Sequence, residues 1–471
     1  MQNQTVQAVQ PPNNSIFFHN QKDCRDLSGN MLQKIKDRSV AFYSNHQNKQ
    51  FIRLILIGLL IRIILMPFFG HIDVLSEARR VFYWSENNIF FDNIPRNTTM
   101  FFEVSFFKIF NFLLPDAHTM LFHADMANTT ASVPSSFEFV SHYGIFRTLF
   151  VLKIPFLFFD LLTTVILYNY FNDKNKGLRS CKMWLFNPVT SFAFYIFGRF
   201  EAIPIFFITA AIFALKKDKV ILAAILLGMC LNGREMMILY FPIFLVAVLF
   251  SSENNFDLKR RVAASLIIVA FAAITLQIFS VHGINSADAA GNEGVVLLKE
   301  SRISHLFAFS LHRIMFLPLV YTLIIIWTWT SNVEAYKKLL LGGALAMMSF
   351  FAFSSHTAHF TSWMVVFPVI FYGYDRTILK PFIAFCLAWI GYWAFLTDLG
   401  VFTLWLAAPF SLHFTSIPNI PAIFNHISAN WGIFNLGIMI SLFKTFFVAS
   451  LIYLAAIMIK VIARSDEKTT S

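Results

Sequence analysis

Long apolar stretches alternate with short polar ones along the chain, the pattern of a helical membrane protein. Apolar runs occupy residues 51–69, 146–171, 182–198, 201–215, 219–232, 236–251, 262–281, 313–330, 338–355, 362–374, 380–397 and 436–460. As helices they make about twelve transmembrane spans in an all-α polytopic fold. Several are shorter than the roughly 17 residues an upright crossing needs, so their ends are expected to run into the loops or the bilayer to thin there. Two stretches after the first run are amphipathic instead. In "GHIDVLSEARRVFYWSENN" (70–88), Val74, Ala78, Val81 and Phe82 share one helical face, with Asp73, Glu77 and Arg80 on or near the other. "FEVSFFKIFNFLL" (102–114) is expected to be an interfacial or re-entrant helix that does not cross.

Composition agrees with this class, at 57% hydrophobic and 13% charged residues, while the formal net charge of +11 supplies orientation. Lys and Arg cluster in the N-terminal tail, at 173–182, "KKDK" (216–219), "LKRR" (258–261), "YKK" (336–338), "DRTILK" (375–380) and "KVIAR" (460–464). If 102–114 does not cross, every cluster falls on one side, which the positive-inside rule makes cytoplasmic, together with both termini. Basic charge distributed this way serves topology and argues against a nucleic-acid partner. The expected organisation is a cytoplasmic polar tail (1–50) with a surface helix near Leu32–Tyr43, a transmembrane domain (51–461) that includes a long first outer loop (70–145), and a cytoplasmic C-terminal tail (462–471). The tail lacks an early apolar core, so the first span is expected to act as an uncleaved anchor. The four cysteines lie far apart and form no metal or disulfide pattern.

The opposite, outer face collects a different set of residues. It holds Asp73 and Glu77, Arg199 and Glu201 of "GRFE" (198–201), Arg234 and Glu235 of "NGRE" (232–235), Arg302, His305, His312, and His356 and His359 of "SSHTAH" (354–359). One charge at a helix end is ordinary, because long side chains snorkel to the interface. Many from separate helix ends suit a phosphate leaving group, which needs positive charge and donors as it departs, with a carboxylate beside it to take a proton from an attacking hydroxyl. No phosphate-binding glycine loop of the nucleotide type competes with this.

At these residues the chain resembles the GT-C glycosyltransferases, and most of all bacterial relatives of the GPI mannosyltransferases. The resemblance runs in order from about residue 51 to 375: Asp73 soon after the first span, Pro155 and Asp160 in "KIPFLFFDLL", "NPVTSFAFYIFGRFEAIP" with Asn187, Pro188, Gly198, Glu201 and Pro204, and "HTAHFTSWMVVFP" with His356, His359, Trp363 and Pro368. Arg199 and Glu201 stand where the family has Gln and Asp, and the His-to-Trp spacing matches only approximately. The resemblance implies transfer of a hexose, mannose first, from a polyprenyl-phosphate sugar to a glycolipid, polysaccharide or protein acceptor on the periplasmic or lumenal face, with inversion. The membrane is then a bacterial inner membrane or the endoplasmic reticulum. On it, Asp73 is the expected general base, Glu77 an orienting or substitute carboxylate, and Arg199, Arg234, His356 and His359 hold the donor phosphate. Glu201 and Glu235 are further site carboxylates.

Arg62 and Asp160 lie near the middle of the first two spans, at similar depth if the helices are antiparallel, and are expected to form a structural pair. No cofactor is called for, and the His-x-x-His at 356–359 lacks a third ligand for a divalent metal. A transporter or flippase for a lipid-linked sugar is the rival class, though internal repeats and mid-membrane charge paths are not evident. A non-enzymatic assembly subunit is a third. Two acceptor sequons, at Asn97 and Asn128, would be modified in an endoplasmic reticulum.

Overall fold

The computed structural model describes residues 45–87, 97–115, 133–250, 257–289, 316–354, 356–396, 404–431 and 435–470. The chain divides into two units, 1–53 and 54–471. Of the first unit only 45–53 are described. The expected helix at Leu32–Tyr43, the residues Arg302, His305 and His312, and the sequon at Asn128 lie outside the described residues.

Among the described residues the regular structure is helical, without strands. In chain order the helices are α1 (His46–Phe68), α2 (Ile72–Asn87), α3 (Asn97–Phe110), α4 (Val133–Ser141), α5 (Ile145–Leu152), α6 (Ile154–Tyr170) and α7 (Lys174–Leu185). After a short irregular stretch follow α8 (Ala202–Lys216), α9 (Val220–Leu231), α10 (Tyr240–Leu249), α11 (Leu258–Ala289), α12 (Phe316–Thr330) and α13 (Ala335–Phe353). The last are α14 (Ser362–Tyr374), α15 (Leu379–Phe395), α16 (Ile420–Trp431) and α17 (Leu436–Thr470). Among the described residues, five segments are long and apolar enough to cross a membrane: His46–Phe68, Ile145–Tyr170, Ala335–Phe353, Arg376–Phe395 and Leu436–Arg464. Others are short. The 15 residues of α8 reach only about 22 Å at 1.5 Å per residue, against a hydrocarbon core of about 30 Å. On α1, Leu56, Leu60 and Ile64 form an exposed apolar stripe at four-residue spacing, as a lipid-facing surface requires.

One expected span needs correction. The run 182–198 is a broken helix and not a continuous one. Helix α7 ends at Leu185, and Asn187 caps a new turn, its Oδ1 accepting from the amides of Val189 and Thr190, with Pro188 at the first helical position. A π-helical turn follows at Phe192–Ile196, where the Phe197 amide bonds back to Phe192 at 2.7 Å. Gly198 then closes the turn at φ 84°. A side chain there would be strained in backbone and would collide with Val74 Cγ2 at 2.7 Å and Lys153 Cε at 2.9 Å, so only glycine brings the hairpin this close to α2.

The amphipathic stretches fold as helices. In α2 the face bearing Val74, Leu75, Ala78, Val81 and Phe82 is buried against Met100, Val104 and Phe107 of α3 and Leu149 of α5. Helix α3 buries Met100, Glu103, Val104 and Phe107 while Phe101 and Ile109 point outward. It is tied to the hairpin at 232–235, the Thr98 amide donating to the Asn232 carbonyl and the Thr99 hydroxyl to the Gly233 carbonyl at 2.7 Å. The buried Thr99 hydroxyl of the Asn97 sequon is thereby engaged inside the protein.

Among the described residues, two groups of polar contacts stand far apart. In one, Lys216 Nζ donates to the Tyr170 carbonyl at 2.8 Å and lies 3.9 Å from the centre of that ring, with the rings of Tyr336 and Tyr374 nearby. Arg179 donates to the Gly373 carbonyl, and Arg464 lies 3.8 Å from Asp375. Lys216, Arg179, Tyr336, Asp375 and Arg464 belong to the basic segments, and Tyr170, Gly373 and Tyr374 lie just before two of them. The other cluster joins α2 and α3 to the hairpins at 198–201 and 232–235 and the turn at 356–361. Helices α6, α8 and α14 each begin near the second cluster and end in the first.

Candidate active site

The second cluster is built from the ends of four segments. Asp73 lies in the first turn of α2, and its Oδ2 is 3.5 Å from Arg199 Nη1 and 3.6 Å from His71 Nδ1. The His71 ring stacks on Phe197 with centroids 4.0 Å apart, and its amide donates to the Phe197 carbonyl at 3.1 Å, joining the start of α2 to the hairpin. Glu77, one turn on, has Oε2 3.9 Å from the same Arg199 Nη1 and 3.4 Å from Arg80 Nη1. Arg199 is therefore shared between two carboxylates. Its Nε is buried without a hydrogen-bond partner.

Deeper in the cluster is Glu201. Its Oε2 accepts from Trp363 Nε1 at 2.5 Å, and its Oε1 lies 3.9 Å from both Arg234 Nη2 and His359 Nε2. The Arg234 guanidinium is packed among the rings of Phe200, Phe360 and Trp363, at 5.3, 4.6 and 5.4 Å. His359 lies against Phe197 and Phe360.

Burial separates the carboxylates. The Asp73 side chain is 38% exposed, whereas those of Glu77 and Glu201 are 7% and 0% exposed. Only the first can meet a substrate without rearrangement. Glu77 also lines a cavity with room for about one water between α2, α3 and the α5–α6 junction, with Glu103 and Gly198 on the same wall. Partial burial pushes the Asp73 carboxyl up, but the Arg199 guanidinium, with His71 beside it, outweighs this and holds it well below the ordinary carboxylate range. Burial pushes His359 well below its ordinary value, Arg199 adds to the shift and Asp73 opposes it. Burial and Arg199 both favour the neutral, hydrogen-bonding ring of His359 over the cation.

Asp73, Glu77, Arg199, Glu201, Arg234 and His359 come together; His356 does not. Its ring lies against Phe351, Trp393 and Phe447, and its Nδ1 donates to the Ser354 carbonyl at 3.2 Å. Burial pushes it down to about 3. Glu235 opens a 3₁₀ turn beside Arg234, and its side chain lies outside the described residues.

Arg62 and Asp160 also meet, away from this cluster. Arg62 Nε donates to Asp160 Oδ2 at 2.5 Å, and both side chains are fully buried. Asp160 accepts from the Tyr195 hydroxyl at 2.5 Å and Trp184 Nε1 at 2.6 Å, while Arg62 Nη1 donates to the Leu185 carbonyl at 2.9 Å. The pair joins α1, α6, α7 and the π turn.

Sequence reasoning assigns no role to three residues of this region. His71 is a lone polar residue before Asp73; Trp363 lies within the quoted Trp–Pro motif; Lys153 is a charge inside the same apolar run as Asp160, which is itself a signal. Among the described residues, no three His, Cys, Asp or Glu side chains are grouped to hold a metal ion.

No protein-family model matches the chain, and no curated protein does. Among solved structures, that of ArnT from Cupriavidus metallidurans bound to undecaprenyl phosphate is similar over 88% of this chain and 77% of that one, with 11% identity and a TM-score of 0.41.

Proposed function

We propose that the chain is an integral-membrane glycosyltransferase of the GT-C type. It transfers a hexose, mannose by the family resemblance, from a polyprenyl-phosphate sugar to a glycolipid, polysaccharide or protein acceptor at the periplasmic or lumenal face. The cytoplasm then holds both termini, and no cofactor takes part. The observation that carries the proposal is an exposed carboxylate, Asp73, 3.5 Å from a nearly buried arginine, Arg199, at the end of a membrane helix. An acceptor hydroxyl attacks the anomeric carbon while Asp73 takes its proton. The bond from that carbon to the phosphate oxygen breaks, and polyprenyl phosphate leaves with its charge met by Arg199 and Arg234. A single in-line displacement inverts the sugar configuration. Glu77 and Glu201 are too buried to meet the acceptor and instead hold the arginines in place.

The test is direct. Purified protein with polyprenyl-phosphate mannose and a lipid or saccharide acceptor should release polyprenyl phosphate without a second compartment, which a flippase would not do. Asp73→Asn preserves size but cannot accept a proton, so transfer should fall by at least about a hundredfold with expression and donor binding retained. Full activity in this variant would remove Asp73 as the base.

A further inference from the structure

We propose that Lys153 is a positioning residue that sets the Asp73–Arg199 pair by capping three main-chain carbonyls at once. It occupies the break between α5 and α6, and its side chain is fully buried. Nζ donates to the carbonyls of Met66 at 2.8 Å, Tyr195 at 2.7 Å, and Phe69. An ammonium has three hydrogens, and all are used. No carboxylate pairs with it among the described residues, so its ligands are carbonyl oxygens alone.

Each of those carbonyls has lost the amide that would bond it in a continuing α-helix, four residues on. The amide four residues after Met66 is that of Gly70, which donates to the Leu406 carbonyl instead. The one after Phe69 is that of Asp73, which donates to His71 Nδ1. The one after Tyr195 is that of Arg199, which donates to the Ala193 carbonyl. Lys153 thus replaces three missing donors where α1 and the π turn end. Asp73 and Arg199 are two of the three residues whose amides were diverted, Gly70 being the other. One ammonium therefore fixes where both chain segments leave their helices, and so where the carboxylate and guanidinium meet. Gly198 makes room for it, since a Cβ there would lie 2.9 Å from Lys153 Cε.

The catalytic consequence rests on the transferase proposal, but the positioning does not, and the two are tested separately. The probe is infrared titration of the Asp73 carboxyl, taken as the difference from Asp73→Asn, in Lys153→Met and Lys153→Arg. Asp73 faces Arg199, His71 and His359, with Glu77 on its own helix, and none of these is altered. Lys153→Met keeps the length of the stem without the donors, so Asp73 should titrate closer to the ordinary aspartate range of about 3.9 as Arg199 drifts away. Lys153→Arg keeps the charge with a planar group that cannot cap three converging carbonyls, and should shift Asp73 in the same direction by less. If Lys153→Met does not fold, Lys153→Arg decides alone. A folded variant in which Asp73 titrates as in the parent overturns the proposal. A general loss of stability would lower yield without moving this titration. With sugar transfer established, kcat/KM for the donor should fall at least about tenfold in Lys153→Met, as both the base and a phosphate ligand are displaced; with no transfer in the parent, the transferase proposal fails and the titration still tests Lys153.

Discussion

Replacing Arg199 with Gln is the sharpest perturbation of the cluster, because that guanidinium faces both Asp73 and Glu77. At the observed 3.5 Å, Coulomb's law gives roughly 5 kcal/mol for an effective dielectric of about 20 and about 1 kcal/mol in bulk water. Asp73 is 38% exposed, so screening places the pair near the lower end, about 1–2 kcal/mol. A double-mutant cycle with Asp73→Asn and Arg199→Gln, read from unfolding of detergent-solubilised protein, should give that coupling at pH 7. The sign of its pH dependence follows from the direction of the shift. Arg199 holds the folded-state carboxyl below its unfolded value, so the contribution is present above about pH 4 and is lost as pH falls from there through the folded value. The same substitution should weaken donor use about tenfold to hundredfold, since a charge-assisted phosphate bond is worth roughly 1.5–3 kcal/mol. Strict additivity at pH 7 would refute the pairing, and unchanged donor kinetics would remove Arg199 from the phosphate site.

Two further outcomes are expected. Asp160→Asn should lower the unfolding temperature sharply, because it leaves a buried guanidinium uncompensated at about 3–5 kcal/mol. Arg62→Met with Asp160→Leu should recover only part of this, since the Tyr195 hydroxyl and Trp184 Nε1 also lose their acceptor; a double variant no more stable than the single would show that charge pairing is not the source. In sidedness, a single cysteine at Ser141 should react with an impermeant thiol reagent on intact cells, and one at Asn175 only after permeabilisation. Labelling at Asn175 from outside with Ser141 protected would mean that 102–114 crosses the membrane, which would put the hairpin at 198–201 on the face opposite Asp73. Cys181, Cys230 and Cys386 are buried and should add little background.

What could be inferred from sequence depends on whether the relevant contact is local. The apolar face of α2 follows from the spacing of Val74, Ala78, Val81 and Phe82, a property of the segment itself. The broken run at 182–198 was also marked locally, by Asn187–Pro188, but hydropathy averaged over the run conceals a helix restart. Arg62 and Asp160 could be paired because a charge inside an apolar run calls for another at similar depth. Lys153 carries the same signal, yet its partners are carbonyls, which every residue possesses, so nothing in the sequence names them. The histidines fail for a different reason. His-x-x-His puts both rings on one face of an α-helix, but here the backbone is extended at Thr357 and 3₁₀ from Ala358, so the rings part. The three site carboxylates are alike in residue type and in having an arginine nearby, and sequence spacing cannot rank them. Their exposures, 38%, 7% and 0% for Asp73, Glu77 and Glu201, arise from the packing of four distant segments. A change at Asp73 should therefore be felt first in proton transfer, and a change at Glu77 or Glu201 in the placement of the arginine each one holds.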